Sequence, residues 1–377
     1  MKWTFNEYYD NEESDPDNAK FKELSEKLSG FLKLFNFYIL MFALSGFLIN
    51  FVHFIIITRR PLRTNSVYVL MIGITSSDLY TMFDIIYVYI DSKISISTQN
   101  NKINSFGCDV SGVSNGFIYV LCGLLMNALG EILRRVSTWL ALFMALFRFL
   151  IVQYAMSSKL DILSTPKFAI KTIITTFLIS SIITTLAYIG QFSIVDDGLR
   201  LHDYCDKPKE TQHSYVVVNS RIFDAYWPIV VMYSLMSDGI TKIIPAVTLP
   251  FLTIGLIRCI RAASSARRHL SSQQRNSTND RSIKLVATMT VLSMFAESPS
   301  GIVHTYQFFY YDHSSIIASV KSLDKLFINL AILNAIVHCA INFGMSTQYN
   351  EVAKKLFCLK IIGRSEVGSV ETAYALA

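Results

Sequence analysis

The sequence predicts an all-α membrane protein: a bundle of seven transmembrane helices followed by a short amphipathic C-terminal helix. Three observations carry this. Apolar residues make up 52% of the 377 and charged residues 16%, a larger excess than soluble domains show. Windows of the roughly 20 apolar residues that a helix needs to cross a bilayer about 30 Å thick lie near Phe31–Thr58, Ser66–Ile90, Gly116–Val152, Phe168–Phe192, Lys242–Ile260, Ile283–Phe309 and Leu326–Met345. Lys and Arg collect in particular connections, as they do in the loops that cytoplasm retains during insertion.

The first thirty residues carry Glu7, Asp10, Glu12, Glu13, Asp15 and Asp17. They lack the basic-then-apolar order of a cleavable leader, so the first span is expected to target the chain itself. Arg59, Arg60 and Arg63 fill the first short connection, which places it in the cytoplasm and the amino terminus outside. Seven spans then put the carboxyl terminus inside.

The second span holds Asp78. The third ends in an unbroken apolar run from Ser137 to Val152 that is closed by Arg148, and deeper within it lie Glu131, Arg134 and Arg135. The fourth span leads into a long acid-rich connection near Asp196 to Asp238, with Asp197, Asp203, Asp206 and Glu210. In that connection the stretch Ala225–Met236 is apolar but too short to span, and Asp224 and Asp238 flank it. An extra span there would invert every later loop and put the cluster of Arg258, Arg261, Arg267, Arg268, Arg275, Arg281 and Lys284 outside. It is therefore predicted to be a helix or hairpin lying in the outer connection.

The Ser/Arg-rich stretch from Ala262 to Arg281 reads as a flexible cytoplasmic loop, which gives the acceptor pattern Asn276-Ser277-Thr278 little weight as a glycosylation site. After the seventh span, Gln348–Phe357 alternates apolar and basic residues as a helix lying on a membrane does. Cys358 follows directly as a palmitoylation candidate or a free thiol. The predicted organisation is an extracellular segment over 1–30, the helical bundle over 31–346, and the amphipathic helix with a cytoplasmic tail over 347–377.

Several function classes are excluded or disfavoured. The net charge of +6 follows from the topological bias and does not indicate nucleic-acid binding. No His/Cys spacing suggests a metal enzyme. A transporter predicts interrupted helices and paired halves, and the chain has no internal repeat. Of the six cysteines, Cys259, Cys339 and Cys358 fall near the reducing cytoplasmic side, leaving Cys108, Cys122 and Cys205 for the outer face.

Ionisable residues at the bilayer centre cost about 2.5–3.5 kcal/mol on insertion scales and usually face the bundle interior. Asp78 is one. Spacings of three and four put Glu131 on a helix face with Arg134 and Arg135, so an internal ion pair satisfies both signs. Glu297 comes from the sixth span at a similar depth, two residues before Pro299.

Ordered motifs run through these spans: Gly46 and Asn50; Ser76-Ser77-Asp78-Leu79; Ser137, Trp139-Leu140-Ala141, Met144-Ala145 and Arg148; Phe295-Ala296-Glu297-Ser298-Pro299-Ser300-Gly301; Asn334, His338 and Met345-Ser346-Thr347-Gln348-Tyr349. From about Phe31 to Phe357 the chain resembles the rhodopsin-like G-protein-coupled receptors. It resembles more closely the nematode serpentine receptors of class W, which are similar to FMRFamide-type neuropeptide receptors.

The resemblance implies a non-enzymatic plasma-membrane receptor that converts extracellular ligand binding into nucleotide exchange on a heterotrimeric G protein. It assigns G-protein contact to Arg148, Val152 and Met156. It places Asn50, Asp78, Ser137, Asn334 and His338 around a polar cavity able to hold a sodium ion, a proton or a plain hydrogen-bonded network. It also implies a bond from Cys205 to the top of the third helix, at Cys122 or at Cys108. A ligand-driven switch is expected to run through Glu131, Arg134 and Glu297 and to move the sixth helix around Pro299. The implied ligand is a basic, amidated peptide, steered by the acidic outer face; a small chemosensory molecule is the alternative, and a seven-span transporter a more distant one.

The departures are specific. Phe147 stands where most of the superfamily keeps an acid beside the arginine, so either basal activity is higher or another contact holds Arg148. His338-Cys339-Ala340-Ile341-Asn342 replaces Asn-Pro-x-x-Tyr, Asn350 stands where class W receptors commonly carry arginine, and the fourth span has no tryptophan.

Overall fold

The computed structural model describes residues 38–106, 116–154, 158–196, 215–270 and 314–357, with single positions between 288 and 302. Helix α1 spans Tyr38–Ile57, α2 Ser66–Phe106, α3 Phe117–Gln153, α4 Pro166–Gln191 and α5 Arg221–Leu270. A 3-10 turn over Ser158–Ser164 precedes α4, and strands β1 (Phe192–Asp196) and β2 (Tyr215–Asn219) precede α5. The seventh span lies in a helix over Ser314–Met345, and a terminal helix follows over Thr347–Leu356. Among the described residues five helices are long and apolar enough to cross a membrane, or six if the bent pair at the end of the chain is one span. The sixth predicted span is described only at isolated helical positions, Pro299 and Gly301 among them.

Local chemistry starts and stops these helices. Thr165 caps α4 by accepting from the Phe168 amide, and Pro166 occupies the first turn, where its missing N–H has no partner to lose. Ser346 accepts from the Tyr349 amide and so begins the terminal helix, which turns 92° from the end of the seventh span.

Helix α4 has the packing of a membrane helix. Thr176, Ser180, Thr184 and Ala187 recur at spacings of four and three and are buried, while Ile174, Leu178, Ile182 and Leu186 are exposed. Small and hydroxyl residues let helices approach closely where lipid removes any hydrophobic drive to associate. The same logic places Gly73 against Leu140 and Gly255 against Phe149, where a Cβ would meet those side chains at 2.7 and 2.9 Å. The largest buried cluster joins α1, α2, α3 and the terminal helix through Ile57, Leu70, Leu140 and Tyr349.

Two expectations for the fourth-to-fifth connection change. The stretch Ala225–Met236 is not a separate outer element: it forms the first turns of α5 and runs on into the fifth span over Met232–Cys259. A break at Tyr226 (φ −128°, ψ 33°) kinks the helix near its start. A 50-residue helix is about 75 Å long at 1.5 Å per residue, more than a bilayer's hydrocarbon thickness needs. The connection also contains a β-hairpin, in which Phe192 pairs with Asn219 and Asp196 with Tyr215. The strands read FSIVD and YVVVN, rich in β-branched and aromatic residues, but β1 is continuous in sequence with the apolar end of α4 and is hidden by it.

Candidate ligand and coupling sites

At the hairpin end of the bundle, α2, α3, α4 and the two strands enclose a cavity of about 610 Å³. Val120, Leu124, Asn127 and Glu131 repeat at spacings of three and four along α3, so one face of that helix forms the wall. Phe192, Tyr215, Val216 and Val217 close it from the strands. The hairpin is held down by an edge-on contact of Tyr215 with Phe117, centroids 5.4 Å apart, and by the Ser220 amide donating to the Gln191 carbonyl at 2.9 Å.

Three charged side chains line this cavity: Asp84, Glu131 and Arg134. The Tyr188 hydroxyl donates to Glu131 Oε1 at 3.2 Å, and Arg134 is exposed on the wall. Glu131 and Arg134, expected to pair, line the same cavity. Tyr188 reaches Glu131 from α4, and the Arg134 guanidinium acts electrostatically on Asp84. Glu297 lies outside the described residues, and Pro299 is half-buried in its helix.

Arg135 parts from Arg134 because neighbours on a helix point about 100° apart. It is buried, with its Nη1 donating to Thr184 Oγ1 at 2.8 Å and to the Ser180 carbonyl at 3.3 Å, and its Nε donating to Thr241 Oγ1 at 3.3 Å. One guanidinium thus ties α3 to α4 and α5. Sequence reading grouped Arg135 with Arg134 and missed this role, although the hydroxyls at positions 176, 180 and 184 were visible as a stripe.

Midway along the bundle the Ser137 hydroxyl donates to Asp78 Oδ1 at 3.3 Å. Asn50 is 1% exposed, and its amide donates to the Gly46 carbonyl at 3.0 Å and towards Met82 Sδ at 3.8 Å. Asn334 is half-buried. His338 is buried, acts electrostatically on His53, and its carbonyl accepts from Asn342 at 2.8 Å.

At the opposite end, Arg148 and Val152 are half-buried on the last turns of α3, and Met156 lies outside the described residues. Phe147 packs inward, stacked on Phe143 at 6.0 Å and tilted against Phe168 of α4 at 5.3 Å. Arg148 acts electrostatically with the Tyr68 phenol, whose oxygen lies 2.6 Å from Ser346 Oγ. The terminal helix seats Tyr349 completely, with its oxygen 2.9 Å from His53 Nδ1 and 4.0 Å from Cys339 Sγ. Burial, reinforced by Cys339, pushes the Tyr349 phenol above its ordinary value, so it remains a neutral hydrogen-bonding group.

The disulfide expected from Cys205 to Cys122 or Cys108 falls outside the described residues at every end but Cys122. Among the described residues Cys122 carries an exposed thiol. Cys108, Cys205 and Cys358 lie outside the described residues. Sequence reading also missed Asp84, although an ionisable residue inside a predicted span is itself a signal.

Comparison with protein families places these residues in context. The model of a family described as "Serpentine type 7TM GPCR chemoreceptor Srw" matches residues 35–360. No curated protein matches the chain.

Proposed function

The chain belongs to the Srw family of serpentine seven-transmembrane G-protein-coupled chemoreceptors, and from that membership we propose that an amidated, FMRFamide-like peptide is its activating ligand. As a member of a receptor family it signals by changing shape and performs no covalent chemistry. Ligand and G protein each favour one packing of the bundle, and this shared preference couples the two sites.

The observation that carries the peptide reading is the hairpin-roofed cavity with Asp84, Glu131 and Arg134 among aromatic walls. Its volume of about 610 Å³ lies within the range of small-ligand sites and holds the end of a peptide while the rest passes the hairpin. Two carboxylates against one guanidinium suit a basic ligand. Arg148 and Val152, with Met156, are proposed to meet the G protein, on a bundle set in the plasma membrane with its amino terminus outside. The Asp78–Ser137 pair is proposed to hold a sodium ion. A small chemosensory ligand is the second reading, favoured by the family's description and by the cavity's size.

The test is G-protein activation in cells expressing the full chain, challenged with amidated peptides and with small amines, beside Arg148→Ala at matched surface level. A peptide response lost in Arg148→Ala supports the proposal. A response to small amines alone replaces the peptide with the second reading, and silence to both rejects this cavity as an activating site for either class.

A further inference from the structure

The α3 wall of the cavity carries an uncharged polar residue at its centre. Val120, Asn127 and Arg134 recur every seven residues and all line the cavity, so they fall on one line along the helix. Asn127 is exposed. Its side chain is one methylene and a carboxamide, so the exposed part is chiefly the amide. Polar side chains within a membrane bundle usually bond across to neighbouring helices; this one is presented to the cavity.

Position sets what Asn127 meets. Along α3, Glu131 lies about 6 Å and Arg134 about 10 Å further from the hairpin, at 1.5 Å per residue. The charges therefore occupy the deep end, while Tyr119 and Tyr215 stand on the hairpin side. A carboxamide offers two donors and an acceptor, and it pairs best with a group that presents an acceptor and a donor on one edge. A peptide bond does not, because its trans geometry sends N–H and C=O to opposite sides. A carboxylate does not, because it only accepts. A primary carboxamide does: its carbonyl accepts from the Asn127 amino group while its own N–H donates to the Asn127 carbonyl, closing a ring of two hydrogen bonds.

We infer that Asn127 is the specificity-determining residue for a terminal primary carboxamide on the ligand. The inference rests on the proposal that ligands enter this cavity, but it does not require that they be full peptides. The carboxamide docks at mid-depth, which leaves Glu131 below it for a cationic group of the same ligand and the aromatic residues above it for the remainder.

The experiment uses the purified full-length chain and two probes, N-acetylphenylalaninamide and N-acetylphenylalanine methyl ester, read by thermal unfolding over a concentration series. Both carry the aromatic ring and the terminal carbonyl; only the amide has a terminal N–H to donate. The amide is expected to bind roughly fivefold or more tightly than the ester. Asn127→Leu keeps the side-chain size without either hydrogen bond and is expected to abolish that preference. Asn127→Asp keeps the shape but cannot donate, and it should lose the preference too, so the pairing is tested even if the leucine variant folds poorly. A merely structural role would weaken both probes alike and leave their ratio unchanged. No preference in the parent, no shift from either probe, or a preference that survives in either variant overturns the inference. Peptide activation in cells is scored separately: an amide preference tied to Asn127 without any peptide response keeps the inference and rejects the peptide, and a peptide response without the amide preference rejects the inference alone.

Discussion

The hydroxyl of Tyr68 near the start of α2 lies 2.6 Å from that of Ser346, the residue that caps the terminal helix. Tyr68 also faces the charge of Arg148, in a receptor whose third span has Phe147 where the acid is expected. The aromatic packing of Phe147 on Phe143 and Phe168 fixes the end of α3 mechanically, and the Tyr68 phenol acts on the arginine electrostatically.

Tyr68→Phe deletes that oxygen and with it both the hydrogen bond to Ser346 and the electrostatic action on Arg148. A hydrogen bond is worth about 1 kcal/mol net, which corresponds to roughly a fivefold shift between two packings. Ligand-free G-protein activation at matched surface level should rise by about that factor. An unchanged basal signal shows that Tyr68 does not restrain Arg148.

Tyr349 closes the interface of the terminal helix with α1. Tyr349→Phe removes its bond to His53 and leaves that ring without its Nδ1 partner, where Nε2 already lacks one; the expected loss is about 1 kcal/mol. Tyr349→Ala empties a fully buried site and should cost about 3–5 kcal/mol. Proteolysis after the seventh span should accelerate slightly in the first variant and strongly in the second. Equal rates in all three proteins count against docking by Tyr349.

Arg135 holds three helices through one planar group, so lysine is not a conservative replacement. Arg135→Lys keeps the charge but loses the forked geometry that reaches Thr184, Ser180 and Thr241 together. Breaking a buried charged network costs about 3–5 kcal/mol, and both Arg135→Lys and Arg135→Ala should unfold at lower temperature than the parent in detergent. Parent-like stability in the lysine variant removes the forked-geometry argument.

Gly255 admits the Phe149 ring so closely that a Cβ would lie 2.9 Å from it. Gly255→Ala should push α5 from α3 at the Arg148 end and destabilise by about 1–3 kcal/mol, as overpacked sites do. Adding Phe149→Leu, which shortens the obstructing side chain, should recover most of the loss in the same thermal assay. Additive losses in the double variant point to a different cause.

The division between sequence and structure follows the range of each interaction. Apolar windows, basic connections and ordered motifs are local, and they determined by themselves that this is a seven-span receptor with Arg148 near one end, Asp78 midway and an amphipathic helix after the last span. The fourth and third windows agree with α4 and α3 within a few residues, since the length of a span is set by the bilayer and not by its neighbours. Other features depend on which residue reaches across a gap. Glu131 was legible as a charge on the α3 face, but the tyrosine that donates to it comes from another helix. The hairpin was concealed because five strand residues continue the hydropathy of α4. Burial into lipid is written along a single helix; the choice of polar partners inside the bundle was made only when the helices packed, because it depends on relative rotation and on competition among side chains from separate segments.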